Sequence, residues 1–113
     1  MAETLFGKIV RGEIPADIVY EDDLCVCFKD VNPKAPVHYL LIPKKPIERL
    51  SDAGTQDETL LGHLMLKAGE IAADAGFGDA FRLVVNNGPG AGQTVFHLHI
   101  HILAGRTMGW PPG

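Results

Sequence analysis

Three histidines alternate with aliphatic residues near the C-terminal end of the chain, in the segment His97-Leu98-His99-Ile100-His101-Ile102-Leu103. This alternation predicts a β-strand, which we expect to span Phe96–Leu103. Successive side chains of a strand point to opposite faces, so the three imidazoles would share one face and the aliphatic residues the other. The aliphatic face is expected to enter the core, and the imidazole face is expected to carry chemistry.

Nucleophilic catalysis is the chemistry that this arrangement favours. A neutral imidazole attacks phosphorus and forms a covalent intermediate when one ring nitrogen holds the proton and the other faces the target. Neighbouring groups set that tautomer. His99 is the central residue of the three, flanked by two others that could orient it or bind phosphate oxygens, and we interpret it as the candidate nucleophile.

A metal site is the competing interpretation, because neutral imidazole is a common metal ligand. On a straight strand, His97 and His101 would be about 13 Å apart at their Cα atoms, whereas Zn–N bonds are about 2.0 Å long. One strand therefore does not readily bring all three rings to one ion. Two of them with a further ligand could do so, with His38, Cys25 or Asp30 available. We predict that the reaction uses no metal and no cofactor.

A glycine-rich segment, residues 86–94, immediately precedes the histidines. Its three glycines would let backbone N–H groups approach an anion closely. The hydroxyl of Thr94 and the amide of Asn86 or Gln93 add hydrogen-bond donors. Beside the aligned histidines, this loop is a candidate oxyanion site.

The composition is that of an ordinary globular protein, and we expect residues 1–113 to form a single domain. Hydrophobic residues make up 46% of the 113 residues, and the net charge of −4 provides no broad basic surface for polymeric nucleic acid. No apolar run approaches the roughly 20 residues that span a bilayer, and the N-terminal residues do not resemble a secretion signal. We therefore predict a cytoplasmic protein whose two cysteines, Cys25 and Cys27, are reduced and semi-buried.

The elements that must position these residues can be read from the N-terminus. Residues 4–11 predict a short helix with Leu5, Ile9 and Phe6 facing inward, and residues 18–21 and 24–29 predict a hairpin. Leu24, Val26 and Phe28 would share one face of its second strand. Residues 38–42 predict a central strand that ends at Pro43.

A long helix is expected next, starting at a capping box formed by Thr55 and Glu58 and stopping at Gly76. Its core stripe would comprise Leu60, Leu64, Ala68, Ile71 and Ala75, whereas Gln56, Asp57, Lys67, Glu70 and Asp74 would face water. Strands at 81–86 and 96–103 follow. The fold class is therefore α+β, an antiparallel sheet of about five strands with one long and one short helix.

The histidine segment matches the signature of the histidine triad family. The resemblance extends to segments 6–15, 38–45, 60–65, 84–88 and 92–97, and the closing Trp110-Pro-Pro-Gly113 resembles the Hint branch, the purine nucleoside phosphoramidases. The resemblance implies a homodimer whose sheets join into one. It also implies hydrolysis of the P–N bond of purine nucleoside 5′-phosphoramidates.

The resemblance assigns roles by position. His99 would take up the nucleotidyl group, His101 would bind a phosphate oxygen, and His97 and His38 would form the supporting polar shell. The phosphate would be held by Asn86, Gly92 and Thr94, the ribose by Asp30, and the base by Phe6, Ile9 and Val31. Gln93 and Val95 would also belong to the nucleotide-binding set. Trp110 would reach the partner's site.

Two departures from the family pattern bear on the leaving group. Thr94 stands where the family usually has serine, and Pro46 and Gly109 replace residues that are commonly basic or histidine. Two other functions stay open, a dinucleoside polyphosphate hydrolase and a nucleotide-binding regulatory dimer with little turnover. Without the resemblance, Asp30 would be interpreted as a cap of the turn into Asn32-Pro33.

Overall fold

A computed structural model describes residues 4–113 and contains a five-stranded sheet with a short and a long helix. The elements in chain order are α1 (Leu5–Val10), β1 (Ile18–Glu21), β2 (Cys25–Lys29), β3 (Val37–Pro43), α2 (Glu58–Asp74), β4 (Phe81–Val84) and β5 (Ile100–Ala104). The strands lie in the order β1-β2-β3-β5-β4, and every neighbouring pair is antiparallel. The predicted α+β class is confirmed.

The pairing of β3 with β5 brings two of the predicted site residues together. His38 lies opposite Leu103, and Leu40 lies opposite His101. Residues two apart on paired strands share a face, so His38 and His101 are diagonal neighbours on one side of the sheet. The central position predicted for β3 is confirmed, since six of its seven residues are buried.

Each helix covers one face of the sheet. Cys25 and Cys27 of β2 pack with Leu64, Ala68 and the rest of the core beneath α2. The alternate residues of the same strand, Val26 and Phe28, pack on the opposite face with Phe6 of α1. We call these the α2 face and the α1 face. Both cysteines are free thiols and fully buried, so the prediction that they are semi-buried is wrong.

Thr4 caps the start of α1, and its hydroxyl accepts a hydrogen bond from the Gly7 N–H at 3.0 Å. This is the usual way in which threonine satisfies a free N–H at a helix start. The inward residue is Phe6, which is 5% exposed, whereas Leu5 is 50% exposed. The expectation for Leu5 is therefore wrong, because the helix turns its Phe6 side onto the sheet.

The start of the long helix also differs from the sequence prediction. Residues Thr55–Asp57 form a 3₁₀ turn before α2, and the capping carboxylate is that of Asp57 instead of Glu58. Asp57 accepts a hydrogen bond from the Gly54 N–H and forms an ion pair with Lys45. Its side chain is buried, so the prediction that it faces water is wrong. Gly76 ends the helix at φ +94°, as predicted.

Strand β5 begins at Ile100, so the predicted strand over Phe96–Leu103 is wrong in its first half. The N–H of Leu98 donates to the carbonyl of Ile47 in a loop, and the carbonyl of His97 accepts from the His99 ring. Strand β4 likewise ends at Val84 instead of Asn86. Leu24 lies outside β2 and is 43% exposed, so it does not share the buried face of Val26 and Phe28.

Across residues 4–113, no helix combines the length and hydrophobicity that crossing a bilayer requires.

Candidate active site

The His99 ring is held by the backbone next to it. Its Nδ1 lies 2.8 Å from the carbonyl oxygen of His97, and a carbonyl accepts only, so Nδ1 carries the proton. The lone pair of the neutral ring is therefore on Nε2. The side chain is 6% exposed, and the Phe6 ring lies edge-on to it with centroids 5.1 Å apart. One nitrogen is thus fixed as a donor, and the other is left as a nucleophile.

The side chain of His97 connects the segment that contains His99 to the strand β3. Its Nε2 donates to the carbonyl oxygen of Pro43, the last residue of β3, at 2.7 Å. The side chain is 2% exposed. Since its own carbonyl is the one that fixes His99, the bond to Pro43 ties the orientation of the candidate nucleophile to the central strand.

A chain of hydrogen bonds sets the tautomers of His38 and His101. The backbone N–H of Lys34 donates to His38 Nδ1 at 3.0 Å, so the proton of the neutral ring is on Nε2. That Nε2 lies 2.9 Å from His101 Nδ1, which must then accept. The remaining proton of His101 is on its own Nε2. His101 is therefore a hydrogen-bond donor toward whatever lies beyond Nε2.

All four imidazoles are kept neutral by burial. Desolvation lowers the pKa of His38, His97 and His99 below the usual value, and it lowers the pKa of His101 to about 4. The charge that His99 and His38 would carry if protonated acts on the pKa of His101 in the same direction. At pH 7 the unprotonated form of His99 therefore dominates. Neutral rings also remove the mutual repulsion that a cluster of imidazolium groups would suffer.

The candidate nucleophile faces a largely apolar cavity of about 550 Å³ on the α1 face. Eight of the predicted residues line it: Phe6, Ile9, Asp30, Val31, Thr94, Val95, His99 and His101. Val31 is 99% exposed, so its side chain stands at the open side of this cavity. Apolar walls with a few convergent polar groups at one end are typical of a small-molecule site.

Asp30 caps the turn that follows it and also lies at the candidate site. Its Oδ1 accepts the N–H of Asn32 at 2.8 Å, which is the turn-capping interaction, and its Oδ2 lies 3.4 Å from His38 Nε2. The same carboxylate lines the cavity. Turn capping and a place in the site are therefore compatible.

The glycine-rich loop is held by Gln93. Its Oε1 accepts the Gly88 N–H at 2.8 Å, and its Nε2 donates to the carbonyls of Glu48 and Val95. Gln93 is 3% exposed, and its side-chain amide forms these hydrogen bonds with groups inside the protein. Gln93 thus shapes the loop, and its assignment to direct nucleotide contact stays a prediction.

Gly92, Asn86 and Trp110 do not line the large cavity. Gly92 has φ +95°, a conformation that favours glycine, and lies against the side chain of Asn86. Asn86 lines a smaller adjoining cavity with His38 and His101. Trp110 is 83% exposed, with the Arg82 guanidinium 6.0 Å from its ring centroid.

The metal alternative has a specific counterpart in the structure. Asp30, His38 and His101 each offer a ligand atom within 4.8 Å of the others. This group contains one of the three alternating histidines, whereas the alternative stated above needed two of them with one further ligand. These atoms are also joined by the hydrogen bond between His38 and His101. The donor set fits an ion that prefers nitrogen and oxygen ligands.

Several residues of this region were not anticipated. The Lys34 N–H fixes the tautomer of His38, and backbone groups carry no sequence signal for such a role. Leu5, Leu40 and the segment Ile14–Asp17 line the cavity. The segment 14–17 connects α1 to β1, and this position in the chain is the one sequence signal that it lies at the site.

The comparisons with known proteins agree with this geometry. The HIT domain family model matches residues 11–108. An uncharacterized HIT-like protein of Synechocystis sp. is 70% identical over the whole of both chains. A crystal structure of a HIT family hydrolase from Legionella pneumophila superposes with a TM-score of 0.96 at 45% identity, covering 98% of this chain and 100% of that chain. A histidine triad protein from Clostridium difficile gives 0.91 at 41% identity, covering 96% and 97%.

Proposed function

The chain belongs to the HIT family, and from this premise we propose that it hydrolyses the P–N bond of purine nucleoside 5′-phosphoramidates through a nucleotidyl intermediate on His99. The observation that carries the proposal is the fixed tautomer of His99. Its Nδ1 proton is committed to the His97 carbonyl, and its Nε2 lone pair is free in a ring kept neutral by burial.

In the first step, His99 Nε2 attacks phosphorus and forms a P–N bond to the imidazole while the bond to the amine breaks. The amine leaves with a proton taken from solvent. His101, whose Nε2 proton is set by His38 and Lys34, donates a hydrogen bond to a phosphoryl oxygen as negative charge grows there. Thr94 lines the same cavity, and its hydroxyl would be a second donor.

In the second step, water attacks the same phosphorus and breaks the bond to His99. The products are the nucleoside monophosphate and the original neutral ring. Two P–N bonds are thus broken and one is formed, and water supplies the oxygen and the balance of protons. The covalent intermediate divides one difficult displacement into two easier ones.

The nucleoside is assigned to the apolar end of the cavity. Phe6, Ile9 and Val31 would hold the base, Val95 would line its approach, and Asp30 would accept hydrogen bonds from ribose hydroxyls. A volume of about 550 Å³ is within the usual range for small-molecule pockets, so a mononucleotide fits the space. The assignment of a purine comes from the family resemblance.

A homodimer is part of the proposal, with Trp110 as its marker. A tryptophan that is 83% exposed near the end of a chain is a natural residue to bury against a second subunit. The exposed edge of β4 is the sheet edge at which two five-stranded sheets would join. A cytoplasmic location, predicted from the sequence, is likewise part of the proposal.

The test is turnover of adenosine 5′-phosphoramidate by the wild-type protein and by His99→Ala. We expect the wild type to release AMP, and the variant to lose activity by roughly 10⁴-fold or more, as enzymes do when a nucleophile is removed. Equal rates would contradict the proposal. Faster turnover of diadenosine polyphosphates than of the phosphoramidate would instead favour a dinucleoside polyphosphate hydrolase.

Two further measurements separate the remaining alternatives. Activity that persists after dialysis against a strong chelator supports a reaction without metal, whereas activity restored only by a divalent ion would assign the reaction to the Asp30, His38 and His101 group. Tight AMP binding without turnover of either substrate would favour the regulatory dimer.

A further inference from the structure

A second group of potential ligands lies on the α2 face, away from the candidate active site. It comprises Asp22 in the turn between β1 and β2, Cys25 at the start of β2, and His63 on α2. Each offers one ligand atom, and the three atoms lie within 4.8 Å of one another. The group joins the turn between β1 and β2 to α2, and in the chain these two regions are separated by β3 and the segment leading to α2.

The Asp22 carboxylate is the centre of this group. Its Oδ2 lies 2.7 Å from His63 Nε2, and its Oδ1 lies 3.4 Å from Cys25 Sγ. The same carboxylate accepts backbone N–H groups of Leu24 and Cys25 and the hydroxyl of Tyr20, at 2.7 to 2.9 Å. These last three bonds fix its orientation without help from His63 or the thiol.

In the hydrogen-bonded arrangement, protons lie between the three ligand atoms, in the positions where an ion would bind. The S–H of Cys25 and the N–H of His63 both point to the carboxylate, so all three ligand atoms converge on one small region. Removing the thiol proton to solvent and shifting the His63 proton to Nδ1 leaves a thiolate, a ring nitrogen and a carboxylate oxygen facing each other. Sulfur, nitrogen and oxygen donors of this kind are those used by Zn²⁺, with Zn–S near 2.3 Å and Zn–N near 2.0 Å.

Access and local charge are compatible with a dication. The side chains of Asp22 and His63 are 23% and 26% exposed, so an ion can reach them from solvent. Two nearby lysines carry positive charge, but each is paired with a glutamate, Lys44 with Glu21 at 2.9 Å and Lys67 with Glu70 at 3.1 Å.

We propose that Asp22, Cys25 and His63 form a binding site for a borderline-soft transition-metal dication such as Zn²⁺, with water in the fourth position. The bound ion would tie the β1–β2 turn to α2 and stabilise the fold. The site is independent of the proposed catalytic reaction, because its ligands lie on the opposite face of the sheet from His99.

Titration with Co²⁺ tests the proposal, since a thiolate bound to Co²⁺ gives a charge-transfer absorption band that nitrogen and oxygen ligands do not give. This band distinguishes the site from the Asp30, His38 and His101 group, which contains no sulfur. We expect one equivalent of Co²⁺ to produce the band in the wild-type protein, and Zn²⁺ to abolish it by displacement.

Cys27→Ser is the matched control, because Cys27 is also a buried thiol on the α2 face of the same strand. It should keep the band, whereas Cys25→Ser should lose it. Because Cys25→Ser alters the core, His63→Gln on the helix surface is the second variant. Its Co²⁺ affinity should fall by more than the roughly 10–100-fold that loss of an outer-shell partner costs.

A thermal shift provides the second readout. Zn²⁺ should raise the Tm of the wild-type and Cys27→Ser proteins and leave that of His63→Gln nearly unchanged. The proposal is overturned if Co²⁺ binds without the thiolate band, if the band survives in Cys25→Ser, or if His63→Gln binds the ion as tightly as the wild type.

Discussion

Two clusters of titratable side chains lie on opposite faces of one sheet, and they differ in how their hydrogen bonds are used. On the α1 face, each of His99 and His101 has one ring nitrogen fixed by a neighbour, and both rings line a cavity of about 550 Å³. On the α2 face, a single carboxylate, that of Asp22, accepts from Tyr20, Cys25 and His63. The first arrangement leaves reactive nitrogens free for a substrate, whereas the second directs every donor inward to one point.

The chemistry of a histidine therefore depends on the group to which its ring is hydrogen-bonded. A carbonyl acceptor at His99 and an imidazole donor at His101 each leave the far nitrogen of the ring in a defined state. A carboxylate partner, as at His63, holds the ring by a charge-assisted hydrogen bond and serves structure or an ion equally well. The predictions below change one cluster at a time.

Among the substitutions that compare the two clusters, the largest effect is expected when the same change is made in both. His101→Gln should lower kcat/KM for the phosphoramidate by roughly 10²–10³-fold, because a donor aimed at the developing phosphoryl charge is weakened and displaced. His63→Gln should leave kcat/KM within about twofold of the wild type, since His63 lies on the other face. Steady-state kinetics of the two purified variants measure this contrast.

Comparable losses in both variants would show that the two clusters act together, and would contradict the separation described above.

Asp22→Asn should destabilise the fold without impairing catalysis. The neutral amide weakens several charge-assisted hydrogen bonds at once, and we expect the free energy of unfolding to fall by about 2 kcal/mol. Urea denaturation measures the loss, and kcat/KM at a temperature where the variant is folded should match the wild type. An unchanged midpoint would mean that the Asp22 cluster contributes little to stability.

The pH dependence of stability should reveal the buried imidazoles of the α1 face. Because burial lowers their pKa in the folded state, the unfolded chain binds more protons than the folded chain as the pH falls below about 6.5. The free energy of unfolding should therefore decrease as the pH falls from 6.5 toward 4, by up to about 1.4 kcal/mol per pH unit for each histidine that titrates. His101 should stop contributing near pH 4, where its own folded-state pKa lies.

His101→Gln provides the control for this pH profile, since it should reduce the slope between pH 6.5 and 4. Denaturation midpoints at fixed protein concentration measure it. A slope identical to that of the wild type would show that His101 is not buried in its neutral form.

The smallest effect is expected at Thr94, where the family usually has serine. Thr94→Ser keeps the hydroxyl and removes one methyl group, a change worth about 0.8 kcal/mol when a methyl is in full contact. We expect kcat/KM to change by no more than about fourfold, with the size depending on the amine. Comparing a small with a bulky leaving amine measures whether the methyl group restricts access, and an identical ratio for both proteins would show that it does not.

Much of the fold follows from the sequence, because most of its elements obey local rules. The Thr4 hydroxyl caps α1, Gly76 ends α2 with a positive φ, and apolar residues at helical spacing place Leu64, Ala68 and Ile71 in the core. The alternation of Ile100 and Ile102 with His101 also held, since both isoleucines are buried.

The failures occur where distant partners override a local pattern. His97 and His99 alternate as in a strand, but the Leu98 N–H bonds to the Ile47 carbonyl and the His97 carbonyl accepts from the His99 ring, so no ladder forms there. Asp57 looks like a surface residue of a helix start, but it is buried by its contacts with Gly54 and Lys45. The spacing of apolar and polar residues along the chain does not reveal any of these hydrogen-bond and ion-pair partners.

The site was predictable as a set of residue types but not as a set of orientations. The alternating histidines, the glycine-rich loop and the family resemblance indicated which residues meet, and eight of the predicted residues do line one cavity. The tautomers of His38 and His101 depend on the backbone N–H of Lys34, and the shape of the loop depends on the buried amide of Gln93. Such contacts arise only when separate segments pack together.

The most direct test of the central claim is to trap the covalent intermediate. The wild-type protein is mixed with adenosine 5′-phosphoramidate, quenched within the first turnovers under alkaline conditions, digested and analysed by mass spectrometry. We predict an adenylyl group on the peptide that contains His99, and its absence in His99→Ala. An adduct on another residue, or turnover by the wild type with no adduct under conditions that preserve phosphohistidine bonds, would contradict the account.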